Sequence, residues 1–548
     1  MKRALIFILI NFFLVEIMFA QSAVAGSYWV KLKDKKGTLF ETSKPEAFLS
    51  KRAIDRRIRQ HIPIDETDLP VSQVYIDSLK NRGFQILHTS KWLNGVTVRT
   101  SDTTLIKNLA TLPFIVSVQL TKPTNVLKSA IDKFADETTS TAYDPANYGL
   151  AIDQLTQLHG DYLHKAGFRG KGAQIAVLDA GFLNVDINAA FDSLRNSGRL
   201  LGYRDFVDPN ANFFQQNYHG ASVLSCMGGN SPGNLIGTAP DASFYLFRTE
   251  DVNSEYLIEE DNWVAAAELA DSLGVDVINS SLGYNQFDDT QMNHSYADMN
   301  GNKTRVTQGA NMAFQKGILV FSSAGNEGNK TWKRIIAPSD GENVIGVAAV
   351  DKNGVRAPFS SLGPAYGGAV KPNVAAIGMG TILVTSNGSV GYSNGTSFSS
   401  PVLAGMSACL LQANPYASAK QIKAAIEQSA SQYYKPDSLL GHGIPDFEKA
   451  DRYLKVNHVD YSNWESSWAV SPNPFSDVLF IRNIESVAGD NYHFFIYNLQ
   501  GICLWSASFK PEETFILKNL ANLPYGILIL SIRSGEKEAQ IKLVKIER

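Results

Sequence analysis

The chain has 548 residues, 44% of them hydrophobic and 19% charged, with 53 acidic against 50 basic side chains and a formal net charge of −3. Length and composition of this kind predict several packed domains rather than a disordered chain. A charge balance so close to zero offers no basic field to a polyanion, which excludes nucleic acid as an expected partner and leaves the charge of any other substrate open.

The amino terminus reads MKRALIFILINFFLVEIMFAQSAVAG: Lys2 and Arg3, an apolar run broken only by Asn11 and Glu16, then small residues. This is the layout of a signal peptide over residues 1–25, cleaved after Ala20 or after Ala25, and the run is short for a retained anchor. No later segment is apolar for long enough to span a bilayer, so no integral span is expected once the signal is removed. Cys226, Cys409 and Cys503 are far apart and odd in number, which in an exported chain argues against a disulfide framework. Each reads as a buried small apolar residue.

Residues 27–121 change period as they run. YWVKL reads as strand, VSQVYIDSLKNRGF as helix, QILHTSKWLNGVTVRT as a strand or hairpin, DTTLIKNLATLPF as helix and IVSVQL as strand, which predicts a small α+β unit. Residues 122–147 are polar with little to bury and are expected to form an exposed, protease-accessible linker.

Over residues 148–456 the short apolar segments QIAVLD, SFYLFR, VDVINSSLG, ILVFSSAGN and NVIGVAAV alternate with helical ones. Unbroken apolar strands between helices predict an α/β domain whose parallel sheet is covered on both faces. Ligands of such sheets gather at the C-terminal ends of the strands, where Asp179, Gly283 and Asn326 stand. After a linker at 457–467, residues 468–548 alternate at period two between turn signals without strong helical segments, which predicts a small β-sandwich.

Gly167, Gly170 and Gly172 precede the strand QIAVLD, whereas a phosphate-cradling loop follows a strand and opens a helix, so no dinucleotide cofactor is expected. The chain also has no G-x-x-x-x-G-K-[ST] loop and no H-E-x-x-H pair. Asp179, before Ala180 and Gly181, is either a turn residue or a buried carboxylate that needs a partner. His219, in NYHGASVLSCMGG, is either a satisfied structural imidazole at a helix start or a base. Asn326, in ILVFSSAGNEG, is either a turn residue or an amide donor facing a cleft. In NGTSFSSPVLAG four hydroxyls fall within five residues ahead of an apolar helix, with Pro401 expected near its first turn; they can cap the helix or supply a nucleophile. Each fragment alone is ordinary. Together an Asp, a His, an Asn donor and a Ser at the edge of one sheet fill the roles of orienter, base, oxyanion stabiliser and nucleophile in acyl transfer.

In the order Asp…His…Ser, the segments AVLDAG, HGASVLSCMGG, SSLG, SSAGNEG and GTSFSSPVLAG resemble the subtilisin-like serine proteases across about residues 148–450. The resemblance implies a parallel sheet sandwiched by helices, with Ser397 as nucleophile, His219 as general base and then acid, and Asp179 as the carboxylate that fixes the imidazole tautomer. Asn326 and the Ser397 backbone N–H would bind the oxyanion. Backbone at Ser280, Ser281, Leu282 and Gly283 would pair with an extended substrate peptide. Two departures stand out: Ala180 and Ala221 replace hydroxyl residues usual in the family, and the loss beside Asp179 removes a hydrogen bond that favours its ionised form, which predicts a slower enzyme.

Residues 27–121 resemble a protease propeptide that assists folding and blocks the cleft, which makes the linker the activation site. The C-terminal segment resembles the sorting domain of bacterial type IX secretion, implying export through that machinery to the surface or the medium. The protein implied is a secreted serine endopeptidase made as a zymogen, with polypeptide substrates and its own propeptide as inhibitor. Its chemistry requires no cofactor. Calcium is frequent in relatives, but YNQFDDTQMNHSYADMNGN matches no defined ligand spacing, so a metal site stays unassigned. Two rivals are an inactive surface-binding protein that keeps the fold, with Ala180 and Ala221 as signs of decay, and an adhesin whose sandwich carries the function.

Overall fold

The computed structural model describes residues 24–109, 111–124, 137–138, 148–457, 468–483, 491–512, 514–535 and 537–547. The signal peptide up to residue 23, nearly all of the 122–147 linker and the linker at 458–467 lie outside the described residues.

The N-terminal unit contains β1 (Gly26–Leu32), α1 (Lys51–Arg59), α2 (Gln73–Asn81), β2 (Gln85–Ser90), β3 (Gly95–Thr100), α3 (Thr103–Leu109) and β4 (Ile115–Pro123). Its antiparallel sheet has the order β2-β3-β1-β4, and Tyr28, Val30, Val96, Val98, Ile76 and Leu79 form its core. The segment left open as strand or hairpin is the hairpin β2–β3. The periodic reading passed over α1, because KRAIDRRIR has too few apolar residues to show an amphipathic stripe. It is helical nonetheless: the Ser50 hydroxyl caps it by accepting from the Ala53 N–H at 3.2 Å, and the face it buries consists of Ala53, Arg56 and Arg57.

The central domain holds β5 (Gln174–Asp179), β6 (Leu200–Asp205), α4 (His219–Gly228), β7 (Ser243–Arg248), α5 (Ile258–Leu273), β8 (Val277–Ser280), α6 (Arg305–Gln315), β9 (Leu319–Ser323), β10 (Ile345–Val350) and β11 (Val374–Ile377). These seven strands make one parallel sheet in the order β11-β10-β9-β8-β5-β7-β6. Successive side chains of β5 enter opposite layers: Ile175 and Val177 pack with α4, whereas Ala176 and Leu178 pack with α5 and α6. A strand with both faces buried must be apolar throughout, which is why these segments show no alternation. The expected fold class therefore holds. Edge strand β6, LLGYRD, was not anticipated because several of its residues face solvent. Two further strands, β12 (Met379–Val384) and β13 (Val390–Asn394), pair antiparallel and lead into α7 (Thr396–Ala413), whose residues from Thr396 to Leu410 are all buried.

The N-terminal unit docks on the polar side of α5. Asp271 of that helix accepts from Arg56 at 2.5 Å, Arg57 at 2.7 Å and Lys91 at 3.0 Å, and Glu268 accepts from the Ser90 hydroxyl and the backbone N–H groups of Lys91 and Trp92. Burial acts to raise the Asp271 carboxyl, yet Lys91, Arg56 and Arg57 hold it well below the usual carboxylate range.

At the C-terminus, β14 (Trp468–Ser471), β15 (Leu479–Asn483), β16 (Tyr492–Tyr497), β17 (Cys503–Phe509), β18 (Thr514–Leu517), β19 (Gly526–Ser534) and β20 (Lys537–Lys545) form antiparallel sheets ordered β14-β15-β18 and β17-β16-β19-β20. Trp468, Phe494 and Phe515 fill the space between the sheets. All three cysteines are free, and Cys226 and Cys409 are buried as expected; Cys503 is exposed, because it opens an edge strand with its side chain outward. No helix among the described residues is long and apolar enough to cross a membrane.

Candidate active site

The chain runs from β5 toward β6 on one side and later from β8 toward β11 on the other, so the order reverses between β5 and β8. A crevice opens at the strand ends beside such a reversal. Asp179 closes β5 there, and Ser280 closes β8.

Asp179 is buried, and its Oδ1 accepts from the Ala180 N–H at 2.8 Å and contacts His219 Nδ1 at 2.6 Å. A carboxylate oxygen accepts, so this contact places the Nδ1 proton toward Asp179 and, in the neutral imidazole, the acceptor lone pair on Nε2. His219 sits at the first position of α4 with its backbone N–H on the Asn217 side-chain oxygen at 2.8 Å. Two glycines permit the approach: a Cβ on Gly220 would meet the Gly181 carbonyl and lie 2.9 Å from the Asp179 Cβ, and one on Gly181 would meet the Asn217 backbone. Buried Arg248 fixes the same turn, donating to the Ala180 carbonyl at 3.1 Å and to Asp205 at 2.8 Å. Among the described residues Asp179 Oδ2 has no hydrogen-bond partner, and Ala180 beside it has no hydroxyl to offer.

The hydroxyl cluster divides by partner. Thr396 donates to Asn326 Oδ1 at 2.9 Å, Ser399 to the Thr396 carbonyl at 3.0 Å and Ser400 to Asn279 Oδ1 at 2.8 Å. Ser397 is left at the cleft, its Oγ 3.3 Å from the Ser281 carbonyl and the next side chain, Phe398, against the His219 ring at a centroid distance of 5.7 Å. The expectation that these hydroxyls cap the helix is corrected: Gly395 is the cap residue, no local side chain caps α7, and Asn326 Oδ1 accepts the Thr396 N–H at 2.9 Å from another loop. Pro401 also lies deeper than the first turn. Lacking an N–H, it leaves the Ser397 carbonyl without its helical donor, and the Ser281 hydroxyl takes that place at 2.6 Å.

Thr396 N–H can only donate, so the Asn326 atom facing it is oxygen and the amide N–H₂ faces the other way. That nitrogen lies 3.5 Å from where a Cβ on Gly395 would stand, beside the start of α7. Asn326, Ser397, Ser281, Leu282 and Gly283 line one cavity of about 450 Å³. Ser280 does not line it; buried, with its hydroxyl accepting from the Trp263 indole at 2.9 Å, it anchors the segment instead. Sequence reasoning missed Glu250 and Glu255, which line the same cavity; the signal that points to them is their place just past the C-terminal end of the strand SFYLFR. The group Glu250, Glu255 and Glu259 has carboxylate oxygens within 4.8 Å of one another, whereas the loop at 284–302 first weighed for calcium forms no such group among the described residues.

The crevice is suited to acyl transfer: a helix-start hydroxyl and an amide donor open on one cavity, and a carboxylate-oriented imidazole packs against Phe398, the residue that follows that hydroxyl. Comparison with known proteins agrees with the fold. Residues 170–443 match the model of the subtilase family, half of the chain. The chain belongs to the subtilase family, serine peptidases of the subtilisin type. It is 29% identical to a thermostable alkaline protease of Halalkalibacterium halodurans over 60% of this chain and 78% of that protein. It is 28% identical to subtilisin DY of Bacillus licheniformis over 52% of this chain and 91% of that one, and 28% identical to subtilisin E of Bacillus subtilis over 54% and 70%. Residues 27–137 match the peptidase S8 propeptide domain of Bacteroidota, and residues 469–547 match the secretion system C-terminal sorting domain. The protein thus carries a propeptide and a type IX sorting domain that marks it for export to the surface or the medium.

Proposed function

We propose that the protein is a secreted serine endopeptidase, made as a zymogen, that cleaves polypeptides through an acyl-enzyme. Ser397 attacks the scissile carbonyl while His219 Nε2 takes its proton and later gives it to the leaving amine. Asp179 holds the imidazole in the required tautomer and stabilises the imidazolium. The Asn326 N–H₂ and the Ser397 N–H donate to the oxyanion, favoured by the helix N-terminus. Ser281, Leu282 and Gly283 present backbone to an extended substrate, a role that Ser280 supports from beneath. One observation carries the reading: Asn326 is held by its oxygen on Thr396, which turns its donor face toward the cavity that Ser397 lines.

The N-terminal unit acts as an intramolecular inhibitor, the linker at 122–147 is the activation site, and the type IX machinery exports the chain. No cofactor enters the chemistry. The rival of an inactive surface-binding protein gains nothing from the comparisons, whose named relatives are proteases and subtilisins.

The test is labelling of the processed protein with an organophosphorus serine reagent. Stoichiometric labelling that disappears in Ser397→Ala is expected; no label, where a subtilisin reacts, overturns the reading. The N-terminus of the processed form should fall within 122–147.

A further inference from the structure

Asn279 is a fully buried amide in an otherwise apolar layer. On β8 it stands level with Val177 of β5 and Phe321 of β9, both of which belong to the core that α7 packs into. An apolar side chain of similar size would fill such a place, whereas an amide is costly there unless its ends are hydrogen-bonded. Both ends are engaged. Oδ1 accepts from the Ser400 hydroxyl at 2.8 Å, and Nδ2 donates to the Ser281 hydroxyl at 3.1 Å. Ser400 belongs to α7 and Ser281 to the segment directly after β8, so one side chain ties the helix of the nucleophile to the segment offered to substrate backbone.

The direction of these bonds is fixed by the far end. The Ser397 carbonyl can only accept, and Pro401 has no N–H to give it, so the single proton of the Ser281 hydroxyl goes there, at 2.6 Å. The Ser281 oxygen is then an acceptor toward Asn279, which must face it with N–H₂ and keep Oδ1 for Ser400. Each group in the series Ser400, Asn279, Ser281 therefore donates to the next, and the series ends on the Ser397 carbonyl. Ser397 Oγ in turn lies 3.3 Å from the Ser281 carbonyl, so Ser281 meets the nucleophile residue through both its hydroxyl and its backbone.

We propose that Asn279 is a positioning residue for the nucleophile: its amide sets the direction of the Ser281 hydroxyl and through it the seat of Ser397 in the first turn of α7. The inference rests on the peptidase reading above. Asn279 is outside the residues that line the cavity, so it acts through Ser281. Displacing an attacking oxygen by about 1 Å costs on the order of 10²-fold in rate, which makes a buried bond two residues removed from the chemistry matter. The ionised carboxylate of Asn279→Asp accepts at both ends; it takes the Ser281 proton and leaves the Ser397 carbonyl without a donor.

The test uses the processed enzyme, with active sites counted by organophosphorus labelling carried to completion so that unfolded chains do not contribute. Asn279→Asp should lower kcat per site on an internally quenched peptide by about tenfold or more, while KM moves by less than about threefold. Ser400→Ala removes only the far anchor; its kcat should fall in the same direction by a smaller factor, and it carries the test should Asn279→Asp fail to fold. In a Ser281→Ala background the series is already broken, so either substitution should then change kcat by less than about twofold. A purely structural amide would instead shift the unfolding midpoint and leave kcat per site where it was. Unchanged kcat per site in the variants that fold, or the same fold-loss with and without the Ser281 hydroxyl, overturns the proposal. So does a rise in KM at constant kcat, which would place the effect in substrate binding. A labelled, active enzyme indifferent to Asn279 and Ser400 defeats this inference alone, whereas a wild type that takes no label and turns over no peptide defeats the peptidase reading itself.

Discussion

The Ser281 hydroxyl donates to the Ser397 carbonyl at 2.6 Å, replacing the helical N–H that Pro401 lacks. The contact ties the end of β8 to the first turn of α7, and Asn279 Nδ2 holds the same hydroxyl at 3.1 Å. Ser281→Ala would leave a buried carbonyl unpaired, so a loss of about 1–3 kcal/mol in urea unfolding is expected. In a Pro401→Ala background, where residue 401 regains its N–H, the same substitution should cost less. Equal cost in both backgrounds would show that the proline is not the reason for the contact.

Asn326→Ala should lower kcat by about 10²- to 10³-fold with a small change in KM, as loss of the oxyanion donor does in a subtilisin. It also removes the acceptor of two Thr396 hydrogen bonds, so stability should fall too. Asn326→Asp keeps the acceptor and loses the donor. Its unfolding midpoint should stay near that of the wild type while its kcat falls with that of the Ala variant.

Ala180→Ser offers a hydroxyl to Asp179 Oδ2, which has no partner among the described residues. One added hydrogen bond of about 1 kcal/mol corresponds to roughly fivefold in rate if it acts fully in the transition state. A rise in kcat/KM of up to that size is expected on a standard peptide. An unchanged or lower value would show that the missing hydroxyl is no handicap here.

Asp271→Ala strips one carboxylate from Arg56, Arg57 and Lys91 at once. Breaking a buried ion pair by removing one partner costs about 3–5 kcal/mol, and here the cost falls on docking of the N-terminal unit. After linker cleavage, that unit should leave the catalytic domain far sooner than in wild type, as followed by size-exclusion chromatography. Unaltered retention would mean that apolar contacts such as those of Trp92 hold the two together.

His88 predicts how docking responds to pH. Burial lowers its imidazole from 6.5 to about 4, against hydrogen bonds from its surroundings at Phe206 and Asn262; the nearby charges of Arg204 and Arg99 act with burial. An undocked, solvated His88 therefore binds more protons than the docked one between about 6.5 and 4. Its contribution to docking is complete above about 6.5 and is lost as pH falls toward 4. Release of the cleaved N-terminal unit should accelerate across that window, and His88→Phe should flatten the profile.

Much of the site was legible as sequence because its parts obey local rules. QIAVLD announces a two-sided buried strand, and a carboxylate at its end requires a partner; His219 and the hydroxyl cluster each precede an apolar helix. Which hydroxyl faces the cleft was not local information. It depends on Asn326, from the loop after β9, and Asn279, from β8, arriving to occupy Thr396 and Ser400, while Ser399 turns back onto its own helix.

By itself the sequence determined the period of the five inner strands from β5 and β7 to β10, the order Asp179, His219, Asn326, Ser397 and the division into unlike segments, since hydrophobic spacing and turn chemistry are written within a few residues. Only the tertiary structure decided what covers the polar side of α5, why KRAIDRRIR folds into a helix with buried arginines, and how Glu250, Glu255 and Glu259 converge. Charges are buried in pairs, and the partners of Asp271 lie more than 170 residues away along the chain. No local pattern records a neutralising group at that distance.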